Sequence, residues 1–281
     1  MSDGRDNRWA TLGSVSPRAL AEARIQLHWA AQTIAAAADA VLEPRADDSH
    51  TAMRWDEARG ALLGHPFKGR CVTLEVSELA LSVVDDNGGE LHRLSLHGHS
   101  LATALAWVSE ALGTDKTLRL RSHRMPAHVV ANGGRFSFDD PAQFAALRAW
   151  YSTSIGLLGE LALPNARALA VRPRRFDVAS IVFLDDDISQ PQRQIGFGMS
   201  PGDPFYDQPY YYVAPSPMPD HADLPALPAG AHWHTAGFTA AVLTADAIVA
   251  GGTADAREAL VRGFLADTLT LSAGLLTTRT S

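Results

Sequence analysis

Apolar residues recur at helical spacing from Leu20 through Leu27, Ala31, Ile34, Ala38 and Val41 to Leu42, and the run stops at Pro44. Residues three or four apart share one face of a helix, so the spacing predicts an amphipathic helix of about seven turns. Ser16-Pro17 marks its start, because serine caps free amides and proline tolerates the first helical position. Residues 45–69 hold no period and read as irregular. From Cys71 the period becomes two, and apolar runs at Leu79 to Val84 and Leu91 to Leu96 follow. Between them lies Asp85-Asp86-Asn87-Gly88-Gly89, which reads as a hairpin turn, because Asn87 and Gly88 both tolerate positive φ. Ser100 and Gly113 bracket a helix carrying Leu101, Leu105, Val108 and Leu112 on one stripe.

The second half has a similar order. Asp140-Pro141 opens a helix with Phe144, Leu147, Tyr151, Leu158 and Leu161 inward, ending near Pro164. Strand-like runs follow at Leu169 to Val171, Val178 to Leu184, Ile195 to Met199, Tyr210 to Val213 and His232 to Leu243, then a helix from about Thr253 to Leu275. The fold class is therefore α+β: a mixed or mostly antiparallel sheet with long amphipathic helices packed on it. The shared order of helix, strands and helix suggests an internal duplication forming one continuous sheet. On this reading residues 1–14 are a disordered tail and 15–276 a single domain with halves at 15–135 and 136–276. Residues 277–281 form a second tail.

Charge and composition exclude several classes. The 24 basic against 31 acidic side chains leave a net charge of -7, the wrong sign for neutralising phosphates along a duplex, so nucleic acid is not an expected partner. Cys71 is the only cysteine, so no intramolecular disulfide can form and a reducing compartment is permitted. The N-terminus lacks the apolar core of a secretory signal, and no stretch approaches 18 uninterrupted apolar residues. The expectation is a cytoplasmic protein with no membrane partner. Abundant arginine and alanine point to a high-GC bacterial genome. Neither cofactor nor oligomeric state is indicated.

Four segments carry candidate chemistry. In His232-Trp233-His234, strand alternation places both imidazoles on one face and Trp233 on the other. Two such histidines can share a metal. No metal is assigned, because no known ligand spacing is completed; if one binds, His232, His234 and Asp203 are the nominated ligands, with His221 or Asp177 as other third partners. The simpler reading of the pair is one histidine bonded to backbone and one at the surface. In Arg172-Pro173-Arg174-Arg175-Phe176-Asp177, arginines beside a carboxylate can clamp a substrate carboxylate or phosphate, or Asp177 can simply pair with a neighbour. Alternation would put Arg175 and Asp177 on one face.

The third segment is Ser200-Pro201-Gly202-Asp203-Pro204-Phe205-Tyr206, leading to Tyr210-Tyr211-Tyr212. Asp203, Tyr206 and a later tyrosine can supply a base and hydroxyl donors, while a proline-held turn explains the same residues without catalysis. Frequent prolines between 201 and 228, mixed with aromatics, read as a rigid loop over the sheet. The fourth, Asp185-Asp186-Asp187, suits a cation or, more simply, a solvated turn. No nucleophile elbow, phosphate loop or dinucleotide fingerprint is present.

Several of these motifs occur together in a pattern that resembles a group of bacterial proteins of unknown function: Leu27-His28-Trp29-Ala30-Ala31-Gln32, Glu43 to Thr51, Phe176-Asp177-Val178-Ala179, Ser200-Pro201-Gly202-Asp203, and Gly230 to Phe238 with its His-Trp-His-Thr run. The likeness spans about Ala21 to Leu276 and implies no activity. Members often read Trp-Pro-His-His-Phe-Asp where this chain has Arg172 to Asp177. That difference implies a version without a metal, suited to anions.

The resulting expectation is a small-molecule binder, or an enzyme, for a polar or anionic metabolite. Its site would combine His232, His234, Asp177 and Asp203 as chemical groups with Arg175, Tyr206, Trp233 and Tyr211 as binding groups. The alternative is a non-catalytic interaction module using Trp233, Tyr210 to Tyr212 and Trp55 as exposed anchors.

Overall fold

A computed structural model describes residues 8–161, 163–185 and 193–277. The chain divides into two compact units that interleave along the sequence. The N-terminal unit comprises Arg18–Ser152 and Ala170–Asp177; the C-terminal unit comprises Met1–Pro17, Thr153–Leu169 and Val178–Ser281. The unit boundaries thus differ from a cut at 135/136, because 170–177 returns to the first unit and the N-terminal residues belong to the second.

In the N-terminal unit, a 3-10 turn at Pro17–Leu20 leads into α1 (Ala21–Val41). Almost the whole middle of α1 is buried, including the polar Arg24, Gln26, His28, Gln32 and Thr33. Beside it lies an antiparallel meander of β1 (Arg54–Asp56), β2 (Ala61–Leu63), β3 (Arg70–Glu75), β4 (Ala80–Asp85) and β5 (Glu90–Ser95), in that order. Strands β1 and β2 fall in the segment expected to be irregular; three residues are too few for a period to show. Two-residue β6 (Ala170–Val171) returns to this unit, with Met53 and Val171 exchanging both backbone hydrogen bonds at 2.8 Å.

The expected hairpin joins β4 and β5. Four residues connect the strands, only Gly88 has positive φ, and the Asp85 carboxylate accepts the amides of Asn87 and Gly89 at 2.9 and 2.7 Å. Helix α2 (Leu101–Leu112) begins and ends as the sequence predicts. The Ser100 hydroxyl accepts the amide of Thr103 and Gly113 closes the helix at φ +65°. Helix α3 (Pro141–Gly159) follows, and its Trp150 and Tyr151 are buried in the core.

The C-terminal unit is built on β7 (Val178–Phe183), β8 (Gln194–Ser200), β9 (Tyr210–Ser216), β10 (Ala231–His234) and β11 (Ala240–Thr244), antiparallel in the order β10-β11-β9-β8-β7. The run expected as one strand from His232 to Leu243 is a hairpin, folded at Gly237 with φ +83°. Short α4 (Ala245–Val249) and long α5 (Ala254–Thr277) follow, and α5 packs Val261, Phe264 and Leu265 against the sheet. By length and composition α5 alone among the described helices could cross a membrane, and 33% of its apolar stretch is buried.

Two expectations need correction. Residues from Arg8 onward are ordered, not a tail: Trp9 and Leu12 are buried, and Arg257 of α5 donates to both their carbonyls. The strands form two antiparallel sheets rather than one continuous sheet, and the α+β class stands while the internal duplication is not confirmed. Residues 1–7, 162, 186–192 and 278–281 lie outside the described residues, and with them Asp186, Asp187 and most of the 277–281 tail.

Candidate functional site

The β10–β11 hairpin presents the histidine pair. Directly paired residues share a face, so the registers His232–Val242, His234–Ala240, Val242–Tyr212 and Thr244–Tyr210 place His232, His234, Tyr210 and Tyr212 on one side of the sheet. On the same side Gly198 opposes Ala179 on β7; a Cβ there would lie 2.3 Å from the Val178 carbonyl, so only glycine lets β8 approach β7 this closely. Ala179, Tyr210, Tyr212, Ala240 and Val242 form a buried cluster, with Tyr206 and Phe238 packed on it.

The loop between β8 and β9 delivers Tyr206 to the histidines. Its backbone closes through the Asp203 amide, which donates to the Tyr206 carbonyl at 2.8 Å. One Asp203 carboxylate oxygen accepts the amides of Phe205 and Tyr206 at 2.8 and 2.9 Å, and the other accepts the Tyr210 hydroxyl at 2.6 Å. Aspartate suits this post because its short side chain reaches amides two and three residues ahead. So held, the Tyr206 hydroxyl lies 2.9 Å from Nε2 of His232 and 3.0 Å from Nδ1 of His234.

The proton positions follow from one further contact. Nε2 of His234 is 2.8 Å from the Ala236 carbonyl, which can only accept, so Nε2 carries a hydrogen. In neutral His234, Nδ1 is then a lone pair and Tyr206 donates to it. The Tyr206 oxygen in turn accepts Nε2–H of His232, leaving Nδ1 of that ring with the open lone pair. His232 is exposed at the sheet edge and His234 buried between Phe205 and Phe238, with ring centroids 4.7 and 4.2 Å away. Partial burial, and secondarily the His234 ring, lower the pKa of His232. Burial and then the Asp203 carboxylate raise that of Tyr206.

His232, His234, Asp203 and Tyr206 are therefore brought together. Trp233 and Tyr211 are not, since both point to the opposite face: Trp233 donates to the Pro225 carbonyl at 2.8 Å, and the fully buried Tyr211 meets the Ser154 hydroxyl at 2.7 Å. Among the described residues no group of three His, Cys, Asp or Glu side chains could hold a metal ion. The Tyr206 hydroxyl occupies the space between the imidazoles, and Asp203 is engaged by Tyr210 and the two amides. Residues 232 and 234 are separable by alternation, but Tyr210, Phe205 and Phe238 become partners only through register and loop closure.

Arg175 and Asp177 belong to the N-terminal unit and do not lie on a strand. They sit in a tight turn in which the Phe176 amide donates to the Arg172 carbonyl at 2.8 Å and the Arg172 amide to the Asp177 carbonyl at 3.2 Å. The alternation expected here is absent: Arg174 and Arg175 are both exposed, while Phe176 and Asp177 are both buried. Phe176 has φ +58°, a left-handed conformation costing a bulky residue about 1–2 kcal/mol. The turn is pinned from beneath by α1 and α3. Nε2–H of His28 and the Gln32 amide both donate to the Pro173 carbonyl at 2.8 Å, and the Tyr151 hydroxyl donates to the Phe176 carbonyl at 2.5 Å. The His28 ring stacks on Phe176 at 5.1 Å and 6°.

Burial lowers the pKa of His28 to about 4 despite its bond to Pro173, and raises that of Tyr151, with the Asp177 charge adding to the effect. Cys71 is buried in β3 and its thiol is pushed up to about 11, which removes it as a nucleophile at neutral pH. No family model, no curated protein and no solved structure matches this chain.

Proposed function

We propose that the protein binds a small polar metabolite at the His232 end of the Tyr206 bridge and moves a proton to or from it. The observation that carries this reading is a single hydroxyl joining an exposed imidazole to a buried one, with the polarity defined by the Ala236 carbonyl. A proton taken from the ligand by Nδ1 of His232 displaces the Nε2 proton onto the Tyr206 oxygen, and the Tyr206 proton passes to Nδ1 of His234. Three hydrogen bonds reverse and the charge arrives at a ring away from the ligand. The reverse sequence makes His232 an acid.

Support for the interaction-module alternative is weak, since Tyr210, Tyr211 and Tyr212 are buried and Trp55 stacks on Tyr151. The single buried thiol suits a reducing, cytoplasmic setting. The test has two arms. Long-range nitrogen NMR of the imidazoles reads the tautomers directly: both rings should carry hydrogen on Nε2, and a His234 protonated on Nδ1 alone would refute the relay. A thermal-shift screen of polar metabolites should find a ligand whose stabilisation, about 2.7 kcal/mol at 100 times its dissociation constant, is lost in His232→Gln. Equal stabilisation of wild type and His232→Gln by every hit would place binding elsewhere.

A further inference from the structure

We infer that the Arg172–Asp177 turn of the N-terminal unit is an oxyanion site, distinct from the histidine–tyrosine chain, that takes a phosphate group through Arg174 and Arg175. The turn is a rigid platform. Its carbonyls are held by His28, Gln32 and Tyr151, its Phe176 is kept left-handed beneath a stacked imidazole, and its one hydrogen-bonded loop is closed on itself. Backbone strain persists only where surrounding packing over-determines it, and such places are enriched in ligand clamps. What this platform presents outward is two consecutive guanidiniums.

Those guanidiniums are unneutralised. Among the described residues Arg172, Arg174 and Arg175 form no ion pair, whereas Arg93 engages Glu75, Glu78 and Glu90, Arg121 engages Asp39 and Asp48, and Arg262 engages Glu160 and Glu258. In a chain of net charge -7, three arginines against the single buried Asp177 in one short turn are a local excess of positive charge against the overall trend. His123 lies in the same field. Burial lowers its pKa first, then the charges of Arg174 and Arg121. Its Nε2 is a buried polar atom without a hydrogen-bond partner. Guanidiniums bind phosphate through paired hydrogen bonds, and two adjacent ones match a dianion better than a single carboxylate.

The source is either free phosphate or the phosphate of a phosphorylated metabolite, and the test separates them. The full chain is titrated with inorganic phosphate, and separately with glycerol phosphate as a phosphomonoester, at constant ionic strength, following arginine Nε–H resonances and calorimetric heats. Saturable binding is expected below about 10 mM, with the Arg174 and Arg175 signals shifting. Arg174→Gln and Arg175→Gln, both exposed and unpaired, should each weaken it about tenfold. Binding of the ester alone assigns a phosphorylated metabolite; binding of both assigns the phosphate group itself. Absence of saturation with both probes, or affinity unaltered in the Arg174→Gln/Arg175→Gln double variant, overturns the proposal, and does so without bearing on the histidine–tyrosine chain.

Discussion

The Tyr206 hydroxyl stands 3.0 Å from Nδ1 of the buried His234, and no other hydrogen bond to that nitrogen is formed among the described residues. Tyr206→Phe therefore strands a buried acceptor, at a cost of about 1–3 kcal/mol. Chemical denaturation should show that loss with an unchanged slope. An unchanged midpoint would mean that the hydroxyl does not satisfy that nitrogen.

Asp203 raises the Tyr206 pKa, secondary to burial, and also ties Tyr210 and two amides. In Asp203→Asn the amide oxygen can keep one set of bonds but the charge is gone. The Tyr206 hydroxyl should then ionise at lower pH than in the wild type, as read by ultraviolet titration with Tyr206→Phe as the reference for assignment. A shift upward would contradict the geometry.

His28 links acid stability to the Arg172–Asp177 turn. Its folded pKa, about 4, lies below the unfolded value of 6.5, so the unfolded chain binds the extra proton. The stabilisation is complete above 6.5 and is lost as the pH falls from there toward about 4, amounting to about 3 kcal/mol. His28→Gln, which keeps a donor for the Pro173 carbonyl, should flatten this part of the stability profile between those limits. A profile identical to wild type would mean the ring does not stay neutral in the fold.

The Ser154–Tyr211 hydroxyl pair is buried in the C-terminal unit at 2.7 Å. Ser154→Ala should destabilise by about 1–3 kcal/mol because the Tyr211 hydroxyl is left unpaired. Adding Tyr211→Phe should recover most of that loss, since replacing both partners leaves nothing stranded. A double variant as unstable as the sum of the single ones would argue against coupling.

Local signals in the chain were enough for α1, for α2 with its Ser100 and Gly113 caps, for the start of α3, and for the placement of His232 opposite Trp233. These depend on spacing and on residues within a turn of each other, where backbone geometry leaves few choices. Short β1 and β2, the fold-back at Gly237 and the burial of Trp9 and Leu12 depended instead on distant partners. So did the Tyr206 bridge, which requires strand register to align residues 206, 232 and 234, and the turn at Phe176, where α1 and α3 impose a conformation that the residue itself disfavours. Periodicity specifies which face a side chain takes, whereas the identity of what meets it there is decided only when non-local strands and helices pack.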